Sequence, residues 1–329
     1  MTNDLPSRRR AIGLIAGAFA LRANPACSGN SAGGNSAMIE EPWSDAGLAG
    51  TFGLPAKGPA RGPAVLIIAG SGPTDRDGNG PLIATNAYRL LAAGLAASGI
   101  RSLRYDKRGV GESAAMVTRE EELRFDDMVN DAIAATRALS QRADVSAIVL
   151  AGHSEGGLIA MRVAHEVAVS GLVLLAAPGR PLADILRAQF RGAPLGDDLR
   201  SQAFRIIDAL ARGEHVNDVP VEFAPVFRPS VQPYLVSALN IDPRIELAQL
   251  SVPVLIVHGA RDLQLSLDHR DALAKARPDA RVVTARTANH VLKTAPADRD
   301  GNLKTYTDRA LPLDPGILPP IILFVESVS

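Results

Sequence analysis

The chain has 329 residues, of which 47% are hydrophobic and 21% charged, and it carries no formal net charge. That length holds one large domain or two ordinary ones around a sizeable core. A balanced charge and only 4% aromatic residues speak against a nucleic-acid partner, and the single cysteine, Cys27, excludes an intrachain disulfide.

In chain order, Ser7-Arg8-Arg9-Arg10 precedes an apolar run over residues 11–21, too short to span a bilayer. The pair is similar to a twin-arginine export signal. Residues 28–37, rich in Ser, Gly and Asn, read as a flexible linker, so 1–37 are expected to be leader and linker and 38–329 the folded domain. On this reading the protein is exported, to a bacterial periplasm. Cys27 offers a lipid-attachment site as an alternative, but Asn24 and Pro25 fit its flanking positions poorly.

Residues 47–55 look like edge β-structure, and 64–69 form a continuous apolar run, the mark of a strand buried on both faces. Helical spacing follows over 88–97, closed by Gly99, and 100–105 is the next strand. Apolar residues at three- and four-residue steps predict a helix over 125–140. Strands are expected at 145–150, 171–176, 254–258 and 281–284, with a helix over 267–275. Strands alternating with helices mean a mostly parallel sheet covered on both faces. The interruption at about 180–247 has amphipathic segments and no buried strand, and is expected to be a helical lid inserted over the carboxyl edge of the sheet. The apolar tail 314–325 is expected to form a final helix, with Pro319 and Pro320 at its start.

The most informative stretch is Gly152-His153-Ser154-Glu155-Gly156, set between a strand and a helix. This is the nucleophile-elbow pattern, in which the turn is so tight that both glycine positions must lack side chains. A serine hydroxyl needs a base, and the base needs an acid to hold its tautomer. In such folds the order is Ser, acid, His, with both partners in loops after late strands. Asp262 and His290 stand in those places. Asp242 and Asp268 read instead as a turn or cap and a helix start. Of the other histidines, His153 packs beside the serine, His165 and His269 sit within helices, His215 lies in the lid and His258 supports a loop. An oxyanion site needs two backbone amides, here those of Glu155 and of Ser71 in the loop Gly70-Ser71-Gly72-Pro73.

Two other motifs fail. Gly109-Val110-Gly111-Glu112-Ser113-Ala114 fits a dinucleotide fingerprint, yet Asp106-Lys107-Arg108 intervenes after the strand and no helix opens. His153-x-Glu155 lacks the downstream cysteine pair of a zinc deaminase.

With Gly70-Ser71-Gly72-Pro73-Thr74-Asp75-Arg76-Asp77, Tyr105-Asp106-Lys107-Arg108-Gly109-Val110-Gly111-Glu112-Ser113, the elbow, His258-Gly259-Ala260-Arg261-Asp262 and Asn289-His290-Val291-Leu292-Lys293, the chain resembles the α/β-hydrolase superfamily in its serine esterase and serine-aminopeptidase-like branch. The likeness runs from about Gly47 to the end. It implies the α/β-hydrolase fold, a triad of Ser154, Asp262 and His290, and acyl transfer with no metal or cofactor. The expected partner is a small ester or related acyl substrate, and the expected enzyme a carboxylesterase. A peptidase or a thioesterase on the same residues, or a non-catalytic binding protein on this scaffold, are the alternatives. The first loop departs from the His-Gly-Gly-Gly type of many lipases, and the tail is unusually proline-rich.

Overall fold

The computed structural model describes residues 37–329, so the expected leader, Cys27 and nearly all of the linker lie outside the described residues. An eight-stranded sheet runs in the order β1 (Met38–Asp45), β2 (Leu48–Pro55), β6 (Arg101–Tyr105), β3 (Gly62–Ile68), β7 (Val145–His153), β8 (Gly171–Leu175), β9 (Val254–Gly259), β10 (Arg281–Ala285). The short strands β4 (Asn79–Gly80) and β5 (Ile83–Ala84) form a separate ribbon. β1 and β2 are antiparallel, and every pairing from β6 to β10 is parallel.

The expected edge at 47–55 is displaced by one strand: β2 lies inside the sheet and β1 forms the edge. β1 is mostly exposed and contains Pro42, so it lacks the alternating apolar pattern that marks a half-buried strand. It is bound through a hairpin whose two turn residues, Ala46 and Gly47, both have positive φ.

Strand residues alternate between two cores because successive side chains leave a strand on opposite faces. Leu66, Ile68, Leu150, Leu172 and Leu174 join the first core, and Val65, Ile67, Val149, Val173 and Leu175 the second. The second is covered by α1 (Ala87–Ala97) and by the final helix at Leu318–Ser327. That helix forms with Pro319 and Pro320 in its first turn, where their missing N–H groups leave no hydrogen bond unmade. The first core is covered by α2 (Phe125–Ser140), α3 (Glu155–Glu166) and the helices α4 (Leu182–Gly192), α5 (Asp197–Ala211), α6 (Ala224–Phe227), α7 (Gln232–Ala238) and α8 (Pro243–Ala248) between β8 and β9. Phe190, Phe223 and Phe227 tie those helices together, with ring centroids 5.3–6.3 Å apart. Next come α9 (Leu267–Ala276), α10 (Arg299–Lys304) and the final helix, α11.

β3 lies centrally, with β6 on one side and β7 on the other, so the path of the chain reverses there. The crevice at the carboxyl ends of such strands is where ligands bind in open parallel sheets.

Candidate active site

Ser154 sits between β7 and α3 with φ +53°, a conformation that costs a non-glycine residue energy. The two glycines make that turn possible. A Cβ at Gly152 would lie 2.2 Å from the Gly156 carbonyl oxygen, and one at Gly156 would lie 2.3 Å from that of Ile68.

Ser154 Oγ lies 3.2 Å from His290 Nε2, and His290 Nδ1 lies 2.8 Å from Asp262 Oδ2. Asp262 follows β9 and His290 follows β10, which are adjacent parallel strands, so residues 28 apart in the chain meet at one edge. The other carboxylate oxygen of Asp262 accepts the Gln264 and Leu265 amides at 2.7 and 2.9 Å. Burial pushes the Asp262 carboxyl up, but His290, His258 and the Leu265 amide outweigh it and hold the group below the ordinary value. Asp262 is therefore an anion able to accept the His290 Nδ1–H, which leaves Nε2 free to accept the Ser154 proton.

Ser71 and Glu155 both line the cavity over Ser154. Glu155 is the first residue of α3, so its amide has no partner within the helix. Gly70, next to Ser71, approaches Ser154 so closely that a Cβ there would lie 3.0 Å from the serine Cβ.

Two residues that sequence reasoning passed over connect these parts. Tyr88, on α1, accepts the Gly70 N–H at 3.2 Å and lies 2.8 Å from His153 Nδ1. His153 Nε2 lies 2.7 Å from the His290 carbonyl oxygen. A carbonyl can only accept, so His153 carries its proton on Nε2 and takes the Tyr88 hydroxyl proton at Nδ1. Burial pushes His153 down to about 3, with the neighbouring His290 adding to the effect, so the imidazole is neutral. Lys107 is the other omission: it is buried and its Nζ donates to the Gly70 carbonyl at 2.7 Å. Nothing local to Tyr88 signals its role; for Lys107 the one signal was a lysine two residues beyond a buried strand.

The other histidines and rival carboxylates lie in other roles. His258 is buried and donates to the Leu265 carbonyl at 2.8 Å, and His269 accepts the Gly179 amide at 3.0 Å. His165 on α3 lies 3.1 Å from the Glu246 carbonyl, and His215 lies between α5 and α6. Asp242 caps α8 by accepting the Arg244 amide at 3.0 Å, and Asp268 is an exposed residue in the first turn of α9. Gly111 of the 109–114 motif makes room for a carboxylate: a Cβ there would lie 2.3 Å from Asp106 Oδ2. Asp106 accepts the Arg76 amide at 2.8 Å, the Arg76 guanidinium at 2.6 Å and the Glu112 amide at 3.0 Å. The charged loop 74–79 is thereby pinned beside the site.

The Hydrolase_4 family model, described as serine aminopeptidase, S33, matches residues 83–194. Esterase EstD of Thermotoga maritima is 29% identical over 253 residues, a stretch that covers 75% of this chain and 58% of that relative's length. Est1E from Butyrivibrio proteoclasticus has the same fold, with a TM-score of 0.54 and 18% identity over 88% of this chain and 99% of its own. The chain has the α/β-hydrolase fold. BpoC from Mycobacterium tuberculosis H37Rv is likewise similar in fold, with a TM-score of 0.52 and 20% identity over 86% of this chain and 96% of its own. The strand order and the elbow between β7 and α3 are those of the α/β-hydrolase fold, and Gly47 onward, the span of the sequence resemblance, contains every element of the sheet except β1.

Proposed function

We propose that this protein of α/β-hydrolase fold is a member of that superfamily and a serine hydrolase, specifically a carboxylesterase. The observation that carries the reading is the continuous hydrogen-bonded line Ser154–His290–Asp262 at the floor of a cavity. His290 Nε2 takes the hydroxyl proton as Ser154 Oγ attacks the ester carbonyl, and Asp262 stabilises the imidazolium. The amides of Ser71 and Glu155 hold the tetrahedral oxyanion. His290 then gives its proton to the departing alcohol, and the acyl-enzyme is cleaved by water activated at the same nitrogen.

The cavity lining favours a substrate without an ammonium group. Phe125, Leu158, Ile185, Leu186 and Leu292 provide apolar contact, and among the lining residues Arg180 is the one formal cation. Glu155 is the one lining carboxylate, and its side chain is engaged by Lys107 and Tyr234 rather than free for a peptide amino terminus. The name esterase carried by the Thermotoga relative agrees with this, whereas the family model's description favours an aminopeptidase as the second reading. The helices between β8 and β9 supply Leu182, Ile185, Leu186, Gln189 and Ala238 to the lining, in keeping with a lid.

The test compares nitrophenyl esters of rising acyl length with aminoacyl amides. Ester turnover should be faster, and Ser154→Ala should lower kcat on the order of 10⁴- to 10⁶-fold while abolishing fluorophosphonate labelling. Faster amide turnover would select the aminopeptidase, and folded wild-type protein that resists labelling would refute the nucleophile. The export proposal rests on residues 7–21 and is checked by sequencing the amino terminus of protein from a periplasmic fraction; full-length cytoplasmic protein would refute it.

A further inference from the structure

Lys107 has no part in the proton transfers, yet it is buried against both halves of the candidate oxyanion site. Its Nζ donates to the Gly70 carbonyl at 2.7 Å. That carbonyl belongs to the same peptide unit as the Ser71 N–H. No described peptide bond is cis, so the two groups of that unit point in opposite directions. Fixing the carbonyl on Lys107 therefore fixes where the Ser71 N–H aims. The Gly70 N–H is held separately by Tyr88 Oη at 3.2 Å. On its other side Lys107 interacts electrostatically with the Glu155 side chain, and Glu155 carries the second amide of the pair. One lysine thus binds the loop after β3 and lines the same cavity as Glu155 at the amino end of α3.

The backbone that presents Lys107 is itself clamped. Asp106 takes the amides of Arg76 and Glu112, and Arg108 forms a two-pronged pair with Asp131 on α2 at 2.7 and 2.5 Å. Such a bidentate pair fixes direction as well as distance. Three consecutive residues at the end of β6 therefore anchor three different elements, and the middle one reaches the oxyanion loop.

We propose that Lys107 is a positioning residue that sets the geometry of the oxyanion site by holding the Gly70–Ser71 peptide against the amino end of the elbow helix. This rests on the serine-hydrolase reading above. A lysine is suited to the task because its ammonium satisfies the buried Gly70 carbonyl while its charge attracts the Glu155 side chain, which Tyr234 holds by a hydrogen bond.

The test uses the full enzyme with Lys107→Met, which keeps the length and removes both the charge and the donor. The effect belongs to the transition state, so kcat should fall on the order of 10²-fold while KM stays within about 3-fold. Affinity for a trifluoromethyl ketone, whose hemiketal oxygen occupies the oxyanion site, should weaken by the same factor as kcat/KM. Lys107→Gln, which keeps an N–H donor, should recover part of both losses. Folded Lys107→Met with kcat within about 3-fold of wild type would overturn the proposal, as would a fall in kcat with unchanged ketone affinity. Should Lys107→Met fail to fold, Lys107→Gln and Lys107→Arg are judged by the same parallel between kcat/KM and ketone affinity. Ester hydrolysis that survives Ser154→Ala would instead refute the nucleophile assignment on which the proposal rests.

Discussion

Tyr88→Phe isolates the network that joins the Gly70–Ser71 loop to the His290 loop. The substitution removes one oxygen and keeps the ring, including its edge contact with the His153 imidazole at 5.6 Å between centroids. Two groups then lose their partners: the Gly70 N–H, which donated to Tyr88 Oη, and His153 Nδ1, which accepted from it. Both residues are buried. Leaving a buried polar group unpaired costs about 1–3 kcal/mol. The Gly70 bond is long at 3.2 Å and belongs at the low end of that range. His153 cannot escape by changing tautomer, because it would then lose the His290 carbonyl. The expected loss of unfolding free energy is therefore about 2–4 kcal/mol. Urea denaturation followed by far-ultraviolet circular dichroism measures it, with the denaturant slope checked for constancy. Because the same two loops carry Ser71 and His290, kcat should fall together with stability. A loss below about 0.5 kcal/mol would refute the reasoning, since it would mean that neither group depends on the tyrosine oxygen.

Gly156→Ala should destabilise by at least about 3 kcal/mol in thermal unfolding, because its Cβ would stand 2.3 Å from the Ile68 and 2.6 Å from the Ala69 carbonyl oxygens, where only backbone could give way. The control is Gly192→Ala, whose Cβ meets nothing within 4 Å and which should change stability by less than about 1 kcal/mol. Burial holds His153 at about 3, against an ordinary value of 6.5, so below 6.5 the unfolded chain takes up a proton that the folded one refuses. The neutral histidine thus favours folding fully above pH 6.5, and that contribution is lost as pH falls towards 3. The carboxyls of Glu155, Asp75 and Asp131, raised by burial, work in the opposite sense at acid pH, so the histidine is read by difference. His153→Asn should flatten the dependence of unfolding free energy on pH by about 1.4 kcal/mol per pH unit between pH 5 and 6, and an unchanged slope would refute a neutral buried His153.

Much of the fold was legible because its signals are local. The apolar run at 64–69, the three- and four-residue spacing at 125–140 and the paired prolines of the tail each state a period or a steric limit within a few residues. The elbow was legible for the same reason at Gly152, which answers a clash with Gly156 four residues on, whereas Gly156 answers the carbonyls of Ile68 and Ala69 beside it. Asp262 and His290 were legible through topology, since adjacent parallel strands deliver their following loops to one edge. β1 was not, because an exposed strand paired on one side has no apolar alternation to display.

What only the tertiary structure decided is which buried polar groups meet. Tyr88 and His153 are 65 residues apart, His153 and the His290 carbonyl 137, and Lys107 and Gly70 37. A hydrogen bond forms or fails over a few tenths of an ångström, and residue type alone sets no such distance. The sequence by itself determined the alternation of long strands and helices after β1, the tight turn at Ser154 and the succession of serine, aspartate and histidine. The placing of α1 and of the residues after β6 beside the carboxyl ends of β3 and β7 decided that a tyrosine and a lysine, unremarkable in the chain, hold the loops around that serine, because there their hydroxyl and ammonium find buried partners.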